Sequence, residues 1–212
     1  MKPKRIKNPW EEISLDDYEN HMSLDSVNQL QTLNAMMKKQ LEDHDVERVM
    51  ILGVAGGNGL EHVSSGKFKK VYGVDINEEY LKTAAERYAY LGDVLECLHV
   101  DLVQEADKLP QADLLIADLL IEYIGEEAFV NVVKKTNPKY VSCIIQINTD
   151  QENWVSDSPY INAFDGLDAV HHKMEAHSLS AAMIRAGYKA GPHYSEPLPN
   201  GKALVRLDFF VV

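Results

Sequence analysis

Four glycines within seven residues, GVAGGNG at positions 53–59, interrupt the chain directly after an apolar run and before LEHV. Residues 49–52, Val-Met-Ile-Leu, have the unbroken apolar character of a strand buried on both faces of a parallel sheet. Glycine carries no side chain and tolerates positive φ, so Gly53, Gly56, Gly57 and Gly59 let a ligand approach bare backbone. The pattern predicts strand, turn and then a helix beginning near Leu60, whose positive end would face an anionic group.

The chain of 212 residues, 45% hydrophobic and 25% charged, suits one domain with a full core and contains no repeated segment. Asp and Glu outnumber Lys and Arg by 33 to 21, and the net charge of -12 argues against nucleic acid or anionic lipid as partner. The only basic cluster is Lys2, Lys4, Arg5 and Lys7. No apolar segment follows it that would make a signal sequence or membrane span, so a cytoplasmic protein is expected. Cys97 and Cys143 lie in apolar runs without metal-ligand spacing, which predicts buried reduced thiols and neither a disulfide nor a metal site.

Before the glycines, Leu30, Leu33, Met37 and Leu41 recur at helical spacing, with Ser23 as the expected N-cap. The preceding polar segment carries Trp10, Tyr18, His21 and Met22 and reads as a lid over the ligand site or as packing at the sheet edge. After the glycines, residues 70–74 form a strand ending at Asp75, and a helix is expected over 78–90. In a doubly wound sheet an acid there sits beside the first turn, where its carboxylate can grip the vicinal hydroxyls of a ribose. Residues 95–100 and 112–117 repeat the arrangement, ending at Asp101 and Asp118. A helix is expected over 126–136, and a fifth strand over 140–147 delivers Gln146 and Asn148 to the same rim. A long loop follows with Trp154, Tyr160, Phe164, His171 and His172, read as an insertion on the substrate side. A helix over 174–186 and two strands, 188–195 and 203–211, close the chain; Asn200-Gly201 between them suits a hairpin, so the last strand should run antiparallel.

The chain resembles the class I S-adenosylmethionine-dependent methyltransferases over residues 45–212, with residues 1–44 as an N-terminal helical cap segment. The resemblance implies an α/β, doubly wound, Rossmann-like sheet of seven mostly parallel strands with an antiparallel last strand and helices on both faces. By that resemblance Gly53, Gly57 and Gly59 stand at the glycine positions of the first loop, with Ala55 as a variant. Asp75, followed by Ile76, takes the ribose position; Asp101, followed by Leu102, faces adenine, and Asp118 faces the methionine end. The family's acid two positions before the first glycine is Ile51 here. Its work on the methionine amino group would pass to Asp118, a backbone carbonyl, Tyr18 or His21.

The implied activity is methyl transfer from S-adenosylmethionine, which is largely an alignment of nucleophile, methyl and sulfur. A hydroxyl acceptor would need a base, for which His21, Glu122, His171 and His172 are candidates, with His177 behind them. The run HHKMEAH lacks the histidine spacing of helical zinc motifs. After the fourth strand stands ADLLIEYI, not the Asn-Pro-Pro-aromatic run of methyltransferases acting on nucleobase amino groups. A small-molecule acceptor is therefore expected, with a protein side chain next and aminopropyl transfer on the same fold behind it. Other readings are a nicotinamide-dinucleotide oxidoreductase, whose Gly-x-Gly-x-x-Gly register Ala55 and Asn58 disrupt, and a catalytically inactive S-adenosylmethionine-binding regulatory protein.

Overall fold

The computed structural model describes residues 7–148 and 154–211. Lys2, Lys4 and Arg5 of the basic cluster, and the start of the long loop, lie outside the described residues. Apolar runs become β1 (Arg48–Leu52), β2 (Lys70–Asp75), β3 (Leu95–His99), β4 (Leu114–Asp118) and β5 (Tyr140–Asn148). The C-terminal pair is β6 (Tyr188–Pro197) and β7 (Lys202–Val211). All seven make one sheet in the order β3-β2-β1-β4-β5-β7-β6. Only β7 is antiparallel to its neighbours, β5 and β6. The hairpin turns at Gly201, with φ 78°, and Asn200 Oδ1 accepts from Lys202 N at 3.2 Å.

Two helices precede the sheet, α1 (Leu15–Ser23) and α2 (Gln29–Glu42). Side chains alternate along each strand, so the core divides between two faces. Val49, Ile51, Leu114 and Ile116 pack with Met37 and Leu41 of α2 and Leu81 of α3 (Glu78–Arg87). Met50, Leu52, Leu115 and Ala117 pack with Phe129 and Val133 of α4 (Ile121–Thr136) and Met183 of α5 (Ala176–Arg185). The seven-stranded sheet with its antiparallel last strand and helices on both faces is the expected fold. No helix among the described residues is long and apolar enough to cross a membrane.

Several local expectations are corrected. The helix predicted near Leu60 is one 3-10 turn, Leu60–His62. Ser64 ends it, because its hydroxyl accepts from Gly66 N at 3.3 Å and its carbonyl from Lys67 N and Phe68 N at 3.0 and 2.9 Å. No α-helix dipole therefore points out of the glycine turn. Ser23 is the last residue of α1, whereas the cap of α2 is Asn28 in the left-handed region at φ 51°. The helix after β4 begins at Ile121 and is broken at Gly125, whose φ of 77° and ψ of 159° separate its first turn from the part that the sequence periodicity predicts. Within the long loop Ile161–Ala169 forms a 3-10 helix, since Phe164 and Leu167, three apart, fall on one side and bury against Ile13.

Candidate active site

The carboxyl ends of β1, β2, β4 and β5 meet where the strand order reverses between β1 and β4, the crevice at which open α/β sheets take ligands. A cavity of about 80 Å³ lies there. Gly53 and Ala55 line it from the glycine turn, Asp75 and Ile76 from the end of β2, and Asp101 and Leu102 from beyond β3. Asp118 and Tyr18 complete the set predicted from sequence that reaches it. Gly57 and Gly59 do not line it. A Cβ on Gly57 would meet Tyr88, one on Gly59 would meet Met37 of α2, and both residues have positive φ, 91° and 93°. These two glycines serve the bend and its packing.

Hydrogen bonds tie the turn to β2. Gly53 N and Val54 N donate to Val74 O at 2.8 and 3.1 Å. Asp75 Oδ2 accepts from Ala55 N and Oδ1 from Asn77 N, each at 2.9 Å. Burial nevertheless raises the Asp75 carboxyl above its ordinary range. Helix α3 is capped by Asn77, not Asp75: Asn77 Oδ1 accepts from Glu79 N and Tyr80 N. Two residues without the freedom of glycine, Ala55 at φ 46° and Leu119 at φ 51°, hold left-handed backbone on the cavity wall. Such conformations cost about 1–3 kcal/mol each and cluster at functional sites.

The N-terminal segment is fastened over this rim. Asn8 caps the 3-10 helix Pro9–Glu11, fixing Trp10, whose carbonyl accepts from Asn77 Nδ2 at 2.9 Å. Tyr80 Oη donates to Ile13 O at 2.9 Å, and Arg87 pairs with Glu19 of α1. Tyr18 stacks beside Tyr80 at 6.3 Å between ring centroids, while Trp10 stands edge-on to Tyr18 at 5.8 Å and to Tyr123 at 4.8 Å.

A second cavity, about 380 Å³, meets the first at Trp10, Tyr18, Leu119 and Tyr123, which line both. It brings together three of the base candidates, His21, Glu122 and His171. Gln146 and Asn148 of β5 also line it, with Trp154 and Phe164 from the long loop. His171 stacks on Trp154 at 4.0 Å, and His21 Nδ1 lies 2.7 Å from Ser158 Oγ. His172 is not brought in: its ring lies against Gly125. His177 is exposed on α5. Among the described residues no three His, Cys, Asp or Glu side chains are grouped to hold a metal ion.

Burial controls the charges here. It pushes the Asp118 and Glu122 carboxyls up to about 7, lowers His21 to about 4 and lowers His171. Asp118 Oδ1 accepts from Gln40 Nε2 at 2.9 Å and Glu122 Oε1 from Gln146 N at 2.8 Å. Asp118 Oδ2, Glu122 Oε2 and Trp10 Nε1 are buried without a hydrogen-bond partner. Ile51 is 2% exposed in the apolar cluster with Met37 and Leu41, where a carboxylate would be unpaired. Of the side chains considered for the missing acid's work, Asp118 and Tyr18 reach the smaller cavity and His21 does not.

Sequence reasoning placed Trp10 only in the segment read as a lid, and did not assign Leu119, Tyr123, Gln29 or Gln40 to the site. Tyr123 had a signal, as an aromatic beside Glu122. Leu119 had none, because its left-handed backbone cannot be read from a leucine.

No protein-family model and no curated protein sequence matches the chain. Solved structures do. The magnesium protoporphyrin IX methyltransferase ChlM from Synechocystis PCC 6803 with bound SAM is 11% identical, with 100% of each chain covered and a TM-score of 0.68. The N-methyltransferase NodS from Bradyrhizobium japonicum WM9 in complex with S-adenosyl-L-homocysteine is 13% identical over 93% of this chain and 97% of that one, at 0.65. The [4+2]-cyclase SpnF matches at 11% identity over 85% of this chain and 82% of that one, also at 0.65. An all-parallel dinucleotide-binding sheet ends 4-5-6, whereas here β7 is inserted antiparallel between β5 and β6. The chain therefore has the fold of the class I S-adenosylmethionine-dependent methyltransferases.

Proposed function

We propose that the protein is an S-adenosylmethionine-dependent methyltransferase acting on a small molecule, with cofactor and acceptor in the smaller and larger cavities. The observation that carries this reading is the meeting of the two cavities at Trp10, Tyr18, Leu119 and Tyr123. The donor set suits the cofactor: Asp75 for the ribose hydroxyls, Asp101 with Ile76 and Leu102 for adenine, and Asp118 Oδ2 for the methionine ammonium. Gly53 and Ala55 leave room for backbone contact, and Tyr18 covers the methionine end. When bound, the cofactor supplies a methyl group already activated on a sulfonium.

The protein's share of the chemistry is then orientation and exclusion of water. Glu122, His21 and His171 are the groups in the acceptor cavity able to take a proton. Of the N-terminal segment, residues 7–23 act as a cap over the site, with α2 packed into the core beside β1. The smaller cavity, at about 80 Å³, is below the 300 Å³ or so of ordinary ligand pockets, so Trp10 and Tyr18 must shift to admit a nucleoside. Calorimetric titration with S-adenosylhomocysteine tests the reading. Asp75→Asn is expected to weaken binding by about 1.5–3 kcal/mol, the worth of hydrogen bonds to a charged group. No binding by the parent protein would overturn the cofactor assignment, and unchanged affinity in the variant would remove Asp75 from the ribose.

A further inference from the structure

Glu122 sits on the acceptor side of the junction, immediately before Tyr123, which lines both cavities. Its side chain is 5% exposed, with Oε1 held by Gln146 N and Oε2 enclosed without a partner. Neither Lys173, which lines the same cavity, nor Lys202 pairs with it. Lys173 pairs with Glu175 at 3.4 Å, and Lys202 Nζ donates to Trp154 O at 2.6 Å and Ser156 Oγ at 3.2 Å. Burial keeps the imidazoles of His21 and His171 uncharged at neutral pH. An enclosed carboxylate with neither counter-charge nor donor is costly unless a ligand supplies both.

The rest of the wall names the ligand's other part. Trp10, Tyr18, Tyr123, Trp154 and Phe164 line the same cavity, and Tyr123 lies 4.8 Å from Trp10 and 6.1 Å from Trp154. Aromatic faces attract a cation and enclose a flat apolar body. A neutral hydroxyl compound leaves Glu122 to be neutralised by its own proton, whereas an ammonium holds it as the carboxylate and also occupies the free oxygen.

Resting on the methyltransferase reading, we propose that the acceptor is a small amine carrying an aromatic or similarly flat apolar group, held as its ammonium by Glu122 Oε2. For transfer the nitrogen gives one proton to Oε2. Its lone pair then forms the N–CH3 bond as the donor's S–CH3 bond breaks, the bonding pair staying on sulfur. The product leaves as a methylated ammonium and the proton on Glu122 returns to solvent.

Calorimetry with benzylamine, 2-phenylethylamine and N-methylbenzylamine, with benzyl alcohol and 2-phenylethanol as neutral analogues, tests this with and without S-adenosylhomocysteine. At least one amine is expected to bind ten-fold or more tightly than the alcohols. Glu122→Gln, which keeps the acceptor for Gln146 N, should lose that preference while binding S-adenosylhomocysteine as before; Glu122→Asp, which keeps the charge, should retain part of it. Equal binding of amines and alcohols, no binding of any amine, or a preference that survives in Glu122→Gln would overturn the proposal. Failure of S-adenosylhomocysteine alone to bind would instead sink the methyltransferase reading and leave the amine site standing.

Discussion

Asp118 and Glu122 each satisfy one carboxylate oxygen and bury the other unpaired, and burial lifts both to about 7. Unfolded carboxyls titrate near 4. Between about pH 4 and 7 the folded protein therefore holds protons that the unfolded chain has released, and the stability contributed by these groups falls as pH rises through that window. His21, lowered to about 4, acts oppositely: the unfolded chain binds its proton between about 4 and 6.5, so stability rises there. Asp118→Asn is thus expected to raise the melting temperature more at pH 8 than at pH 4, as measured by thermal unfolding at both. An equal gain at the two would show an unshifted carboxyl. Ala55 belongs at this scale as well. It stands where the family pattern has glycine, and its φ of 46° is the conformation for which glycine is ordinarily chosen.

Among the elements, the first turn of α3 and the N-terminal segment are coupled through one side chain. Asn77 caps the helix with Oδ1 and holds the carbonyl of Trp10 with Nδ2. Asn77→Ala should cost about 1 kcal/mol or more of stability through the cap alone. It should also loosen residues 9–23, because the link to Trp10 goes with it. Hydrogen exchange would show faster exchange in that segment ahead of α3 itself; exchange accelerated only in α3 would show that Asn77 does not fasten the cap. Helix α2 is bound more firmly, since Met37 and Leu41 share a core with β1. Only the part ahead of it, with Trp10 and Tyr18, is placed to move.

For the whole molecule, a ligand that binds the folded state alone stabilises it by about 2.7 kcal/mol at a hundred times its Kd. For a chain of this size that is a melting shift of roughly 5–10 °C. S-adenosylhomocysteine should produce such a shift and NAD none, and an equal shift with NAD would contradict the cofactor assignment. Much of the architecture could be read from local pattern: apolar runs of strand length, glycines after the first of them, acids at the ends of the next three, and Asn200-Gly201 before the last strand. These are short-range signals, carried by residue types whose backbone preferences and hydropathy do not depend on distant partners. The left-handed Leu119 escaped notice because it is held from elsewhere in the chain, its N donating to Ile144 O at 2.8 Å, while the 3-10 turn after Gly59 and the break at Gly125 are departures that hydrophobic periodicity does not register. The same division runs through the site. Asp75, Asp101 and Asp118 were legible because strand ends converge by topology, as were His21, Glu122 and His171 as chemistry, but their assembly was not. Sequence by itself determined which groups reach the rim of the sheet. Only tertiary structure decided that Glu122 and Asp118 are desolvated, that two cavities meet at Trp10 and Tyr18, and that Gly57 and Gly59 face packing side chains, since burial and contact arise from residues far apart in the chain.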